Sequence, residues 1–112
     1  MKKSLEGKAA VITGSSQGMG RAVALSMAAE GAKVIVNNRK PNSDGPDAEK
    51  VAQEIRQAGG IAIPVYGDAA EEEVCKKLVD TCVKEFGSID ILVNNAGIPS
   101  GDDIAMFDEA YA

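Results

Sequence analysis

Residues 9–20 read Ala9-Ala10-Val11-Ile12-Thr13-Gly14-Ser15-Ser16-Gln17-Gly18-Met19-Gly20. The first four carry no polar side chain, the pattern of a parallel strand buried on both faces. Three glycines follow within seven positions. Gly14 allows the chain to turn sharply as it leaves the strand. Gly18 offers a backbone that a ligand can approach closely, and Gly20 allows the next helix to pack tightly. The first N–H groups of that helix have no partner within it and lie at the positive end of its dipole, which suits a phosphate or pyrophosphate. Glycine patterns are common in ordinary turns. They gain meaning from a strand before, a helix after and a second strand close behind, and all three can be read here.

Outward from this stretch, strands and helices alternate. Lys8 to Thr13 reads as the first strand. Gly18 to Glu30 is a helix rich in alanine, stopped by Gly31. Lys33 to Asn37 is the second strand. Asn38 to Pro46, with two prolines, a glycine and several turn formers, is a loop. Asp47 caps or begins a helix with an apolar stripe at Ala48, Val51, Ala52, Ile55 and Ala58. Gly59-Gly60 ends it, and Ile61 to Tyr66 is the third strand, where Pro64 forfeits a ladder donor and favours a sheet edge. The acids Glu71-Glu72-Glu73 suit a helix start. That helix carries Val74, Leu78, Cys82 and Phe86 on one stripe and ends at Gly87. Ile89 to Asn94 is the fourth strand, and a further helix start falls near Asp108.

The order implies an α/β fold, a Rossmann-type parallel sheet with spatial order 3-2-1-4. Right-handed crossovers put the first two helices on one face and the third on the other, so the arrangement is incomplete, with the fourth strand an unprotected apolar edge. A nucleotide is expected at the C-terminal ends of strands one and four, where the winding reverses.

Bulk properties narrow the function. The chain has 112 residues, enough for one domain, with 45% hydrophobic residues and a net charge of −5. No basic run invites nucleic acid. No apolar run approaches the ~20 residues of a membrane span. The N-terminus leads into no long hydrophobic segment and is not a secretory signal, so a cytoplasmic protein is expected. Cys75 and Cys82 are seven apart on one predicted helix, so their backbones lie roughly 10 Å apart, beyond the about 7 Å a disulfide tolerates. Two buried thiols are expected. With no histidine in the chain, no metal site is expected.

Taken together, the motifs resemble those of the short-chain dehydrogenase/reductase family. Thr13–Gly20 matches its T-G-x-x-x-G-x-G signature, Asn94-Asn95-Ala96-Gly97 its N-N-A-G segment, and Asp68, just after the third strand, its adenine-contacting aspartate. The resemblance covers about Leu5 to Gly97. It implies that Gly14, Ser16, Gln17, Gly18 and Met19 line the adenosine and pyrophosphate of a dinucleotide, with Gly20 supporting the turn. It implies that Asp68 accepts from the adenine amino group with Ala69 beside it, and that Asn95, Ala96 and Gly97 wall the ribose and the middle of the cofactor. Residue chemistry leaves alternatives: Asp68 as a helix N-cap, and Asn94 and Asn95 as ties between strand ends.

Cofactor choice turns on Asn38 and Arg39. A carboxylate at the end of the second strand would bind the ribose 2′-OH of NAD, and Asn38 stands there instead. Arg39 can pair with a 2′-phosphate. NADP(H) is therefore favoured, with NAD(H) the second reading and a solvated loop the plain alternative for Arg39 and Lys40. In the family the chemistry belongs to a serine, a tyrosine and a lysine four residues after it, aided by an asparagine, all downstream of N-N-A-G. Tyr66 has Ala70 at that spacing and Tyr111 only Ala112 after it, so neither is read as the general acid. No catalytic residue is expected within the chain. Residues 1–112 read as the N-terminal part of one dinucleotide-binding domain whose catalytic half lies outside the sequence.

The resemblance implies an oxidoreductase that moves a hydride between nicotinamide and a small carbonyl or alcohol, such as a 3-oxoacyl thioester or a sugar, in a homo-oligomer. A dinucleotide-sensing module without turnover, or an inactive fragment, is the alternative.

Overall fold

The computed structural model describes residues 3–95. Its elements are β1 (Ala9–Ile12), α1 (Gly18–Ala29), β2 (Lys33–Asn38), α2 (Ala48–Gln57), β3 (Ile61–Tyr66), α3 (Glu72–Phe86) and β4 (Ile91–Val93). The four strands form one parallel sheet in the order β3-β2-β1-β4, which is the expected partial Rossmann fold. Val11 of β1 sits between Ile35 of β2 and Leu92 of β4. Pro64 lies on β3, an outer strand, opposite Val36. There a missing donor can face away from the ladder.

Alternation along the strands sorts the core into two layers. Ala10, Ile12, Val34 and Val36 face α1 and α2, meeting Ala24, Ala28, Val51, Ala52 and Ile55. Ala9, Val11 and Ile35 face α3, meeting Leu78 and Cys82. The buried positions of α1, Gly20, Ala24 and Ala28, are all small and let it lie close on the sheet. Arg21 of α1 pairs with Glu54 of α2. Both cysteines are free and buried on α3, as their spacing implies. Among the described residues no helix is long and apolar enough to cross a membrane, and no cluster of potential metal ligands occurs.

Several details differ from the sequence reading: β1 is shorter at both ends, α1 stops at Ala29, β2 reaches Asn38 and β4 stops at Val93. β4 starts at Ile91, not Ile89, because Asp90 is occupied with β1. Its carboxylate accepts from the Ala9 amide (2.9 Å) and its own amide donates to the Ala9 carbonyl (2.8 Å). The backbone hydrogen bond from Ala9 holds the Asp90 carboxyl below its ordinary range. On α2 the buried stripe ends at Ile55, and Ala58 is the exposed C-cap. On α3 Cys75 joins Leu78 and Cys82 as the buried set, while Val74 and Phe86 are half-buried. The expected helix start near Asp108 lies outside the described residues.

Candidate functional site

The site grows from the turn after β1. Gly14 and Gly18 have φ of 57° and 59°, the left-handed region that glycine enters without strain. Gly20 serves a different need. A Cβ there would clash with the Gly14 carbonyl oxygen and lie 2.5 Å from Nδ2 of Asn95. Gly20 thus lets α1 press onto the turn itself. A Cβ at Gly18 would meet nothing within 4 Å, so the space before that backbone is open. The N-cap of α1, Gln17, makes no side-chain capping bond, and the first turn holds no acid. The helix end is therefore bare, as an anionic ligand requires.

A knot of buried polar groups holds the turn in place. The Ser15 hydroxyl donates to the Ile12 carbonyl (2.8 Å) and accepts from the Asn37 amide (2.8 Å). The Ser15 amide donates to the Asn37 carbonyl (2.8 Å). The Asn37 side chain accepts from the Gly14 amide (3.1 Å) and donates to the carbonyls of Val65 (2.9 Å) and Gly67 (3.2 Å). One carboxamide, only 1% exposed, thereby joins the ends of β1, β2 and β3. On the other side, the Thr13 hydroxyl accepts from the Asn95 amide (2.9 Å), and Asn95 Nδ2 donates to the Gly14 carbonyl (3.2 Å). The alternative reading of Asn95 as a tie between strand ends is thus observed. Ser15 and Asn37 were not singled out in the sequence, and Thr13 only as the first residue of the signature. A polar residue closing an apolar strand is the signal that could have marked Asn37.

Beyond the strand ends lies a cleft of ≈ 750 Å³, within the ~300–1,000 Å³ usual for ligand pockets. The turn contributes Gly14, Ser16 and Gln17. Asn38 and Arg39 come from the end of β2, Asp68 and Ala69 follow β3, and Asn95 follows β4. Lys40, Pro41, Asn42 and Pro46 of the loop after β2 complete the lining. Gly18, Met19 and Gly20 are not among the residues lining the cleft: Gly18 and Met19 are exposed, Met19 to 74%, and Gly20 is buried. Ala96 and Gly97 lie outside the described residues. The cleft opens at the C-terminal ends of the strands, the place where sheets of this class bind ligands.

Its charged groups are few. Arg39 reaches across to Asp68, with Nη2 3.2 Å from Oδ2. Asp68 Oδ1 accepts from the Ala70 amide (2.9 Å). The N-cap of α3 is Glu71, so Asp68 shapes the turn before the helix and is not its N-cap. The Asn38 side chain is tied to the loop: Oδ1 accepts from the Ala48 amide (2.9 Å) and Nδ2 donates to the Lys40 carbonyl (2.8 Å).

A parallel sheet reversing between β1 and β4, with a bare helix end above a glycine turn, defines a Rossmann-type dinucleotide-binding fold. The profile of the short chain dehydrogenase family matches residues 8–111. The chain belongs to that family. It is 41% identical over 97 residues to glucose 1-dehydrogenase 2 of Bacillus subtilis, covering 87% of this chain and 36% of that protein. It is 44% identical over 91 residues to L-rhamnose 1-dehydrogenase (NAD(P)(+)) of Azotobacter vinelandii, covering 81% of this chain and 36% of that protein. Among solved structures, hydroxysteroid dehydrogenase from Escherichia coli superposes with a TM-score of 0.83 at 30% identity, over 95% of this chain and 51% of that one. The chain thus spans little more than a third of the length of these curated relatives.

Proposed function

We propose that this chain is the cofactor-holding part of an NADP(H)-preferring oxidoreductase that moves a hydride between nicotinamide and a small carbonyl or alcohol substrate. The observation that carries the cofactor preference is the end of β2. It presents no carboxylate to the cleft. Asn38 is bound to the loop backbone, and the Arg39 guanidinium, with Lys40 beside it in the lining, is the cation this reading sets against a ribose 2′ substituent. Guanidinium pairs with phosphate bidentately, and a carboxylate in its place would repel it. The dinucleotide supplies the hydride when bound. The bare end of α1 and the turn from Gly14 to Gly20 hold its diphosphate, Asp68 and Ala69 its adenine, and Asn95, Ala96 and Gly97 its ribose and middle. Arg39 then exchanges Asp68 for phosphate.

Within the described residues, Tyr66 is no proton donor for a substrate. Its hydroxyl is given to Asp47, and burial followed by that hydrogen bond and charge pushes it up to about 12. Within the proposal, residues 1–112 belong to one dinucleotide-binding domain, and the substrate's proton donor is not among the described residues. Sugars are a substrate class in keeping with the glucose and rhamnose dehydrogenases it matches. A homo-oligomer in the cytoplasm completes the proposal, and two free thiols suit a reducing compartment.

The test is a fluorescence titration of the intact protein with NADPH and NADH. Arg39→Asp should weaken NADPH by about 100-fold or more, the worth of a charge-assisted pair turned into a repulsion, and leave NADH within about threefold. Equal changes for the two dinucleotides would sink the NADP(H) preference, and no binding of either would sink the function.

A further inference from the structure

The cofactor reading leaves one group beside the cleft unused. Tyr66 ends β3, two residues before Asp68, and its hydroxyl donates to Asp47 Oδ1 at 2.6 Å. Asp47 is 6% exposed and fully engaged. Oδ1 also accepts from the Glu49 amide (3.0 Å), which caps α2, and Oδ2 accepts from the Asn42 amide (2.8 Å). One carboxylate therefore gathers the end of β3, the start of α2 and the middle of the loop that bears Arg39.

Apart from the Arg39–Asp68 ion pair, the other side-chain bonds of this loop stay on its own side. Asn38 binds Lys40 and Ala48, and Lys50 Nζ donates to the carbonyls of Ser43 (2.9 Å) and Gly45 (2.6 Å). Nearer the sheet the Gly67 amide meets the Asn38 carbonyl (3.0 Å). Farther out, the Tyr66 hydroxyl joins the loop to the strand that leads to Asp68. The contact persists through neutral pH. The Tyr66 hydroxyl holds the Asp47 carboxyl below its ordinary range, the largest of several causes, and Tyr66 itself stays protonated.

We infer that the Tyr66 hydroxyl is a positioning group for cofactor selectivity: through Asp47 it fixes the loop from which Arg39 reaches the cleft, and so sets how well a 2′-phosphate is told from a 2′-hydroxyl. This rests on the NADP(H) preference proposed above. A hydrogen bond to a charged group contributes enough to decide between loop positions, and a shift of about 1 Å at a binding group is felt strongly.

The test is Tyr66→Phe in the intact protein, titrated with NADPH and NADH by fluorescence. The NADPH Kd should rise about tenfold and the NADH Kd less than about twofold. In an Arg39→Ala background the same change should leave the ratio of the two Kd values within about twofold, since the coupling runs through Arg39. A purely structural tyrosine would lower the Tm and leave the ratio alone. That result, or a ratio change that persists without Arg39, overturns the inference. If Tyr66→Phe does not fold, Asp47→Asn removes an acceptor from the Asn42 amide and should shift the ratio in the same direction; an unmoved ratio overturns the inference. Wild-type protein that binds neither dinucleotide, or NADPH binding indifferent to Arg39→Ala, overturns the selectivity reading and this inference with it. Intact wild-type discrimination with a flat Tyr66→Phe response overturns this inference alone.

Discussion

The two banks of the cleft are built on opposite plans. On one bank, the turn from Gly14 to Gly20 is a backbone object. Its shape comes from positive φ and from a helix pressed so close that a methyl group does not fit. Its polar ties, through Ser15 and Asn37, are buried under the sheet ends. On the other bank, residues 38–47 form a side-chain object, with exposed residues from Arg39 to Asp44 strung between Asn38, Asp47 and Lys50. The first bank suits what every dinucleotide shares, a diphosphate read by amides. The second suits what distinguishes one dinucleotide from another. A surface meant to discriminate can vary without disturbing the core only if few buried groups depend on it.

The sharpest way to break the contrast is at Gly20. Gly20→Ala should cost about 3 kcal/mol or more, because its clash is with the backbone carbonyl of Gly14, which cannot swing away. Urea unfolding measures this, and a loss under about 1 kcal/mol would mean the turn is not tightly packed. Next comes Asn37→Ala, which strands the Gly14 amide and the Val65 and Gly67 carbonyls. A cost of about 2–3 kcal/mol is expected from the same measurement. Gly18→Ala tests the open side of the same bank. Only the left-handed backbone resists it, at about 1–2 kcal/mol, so it should weaken both dinucleotides in titration while the protein stays folded.

The smallest effect belongs to the loop bank and is one of pH. The folded value of Tyr66, about 12, lies above its ordinary value near 10. Its contribution is therefore fully present below about pH 10 and lost as pH rises toward 12. Asp47 behaves in the opposite sense: its contribution is present above the ordinary aspartate range and lost as pH falls through its lowered folded value. Tyr66→Phe should flatten the alkaline limb relative to wild type in Tm measurements across pH. Parallel limbs would show that the hydroxyl contributes nothing.

Legibility in the sequence follows the same division. Backbone constraints leave a mark in residue type, so Gly14, Gly18 and Gly20 announced the turn. The periods of 2 and 3.6 announced the order of elements and the two-and-one placement of helices. Pro64 announced an edge. Side-chain partnerships leave no such mark. Nothing in the spacing of Tyr66 and Asp47, or of Arg39 and Asp68, says that they touch, because the contact depends on how β2 and β3 end. Asp68 offered two readings from its type alone, and only the position of Glu71 removed the N-cap reading. Asn37 looked like the last residue of a strand, and its side chain finds partners in the turn after β1, in β3 and in the turn beyond β3. Asp90 belongs to the same class, since a carboxylate at a strand start gives no hint that it will hold the neighbouring strand.

The two thiols of α3 have a practical consequence. Each is fully buried and donates to a carbonyl, Cys75 to Ala69 and Cys82 to Ser88. Burial raises both, Cys82 to about 11. Alkylating reagents attack the thiolate, so the folded chain offers them almost nothing. The rate at which maleimide or iodoacetamide marks these sulfurs is then a stopwatch for the lifting of one helix off its sheet.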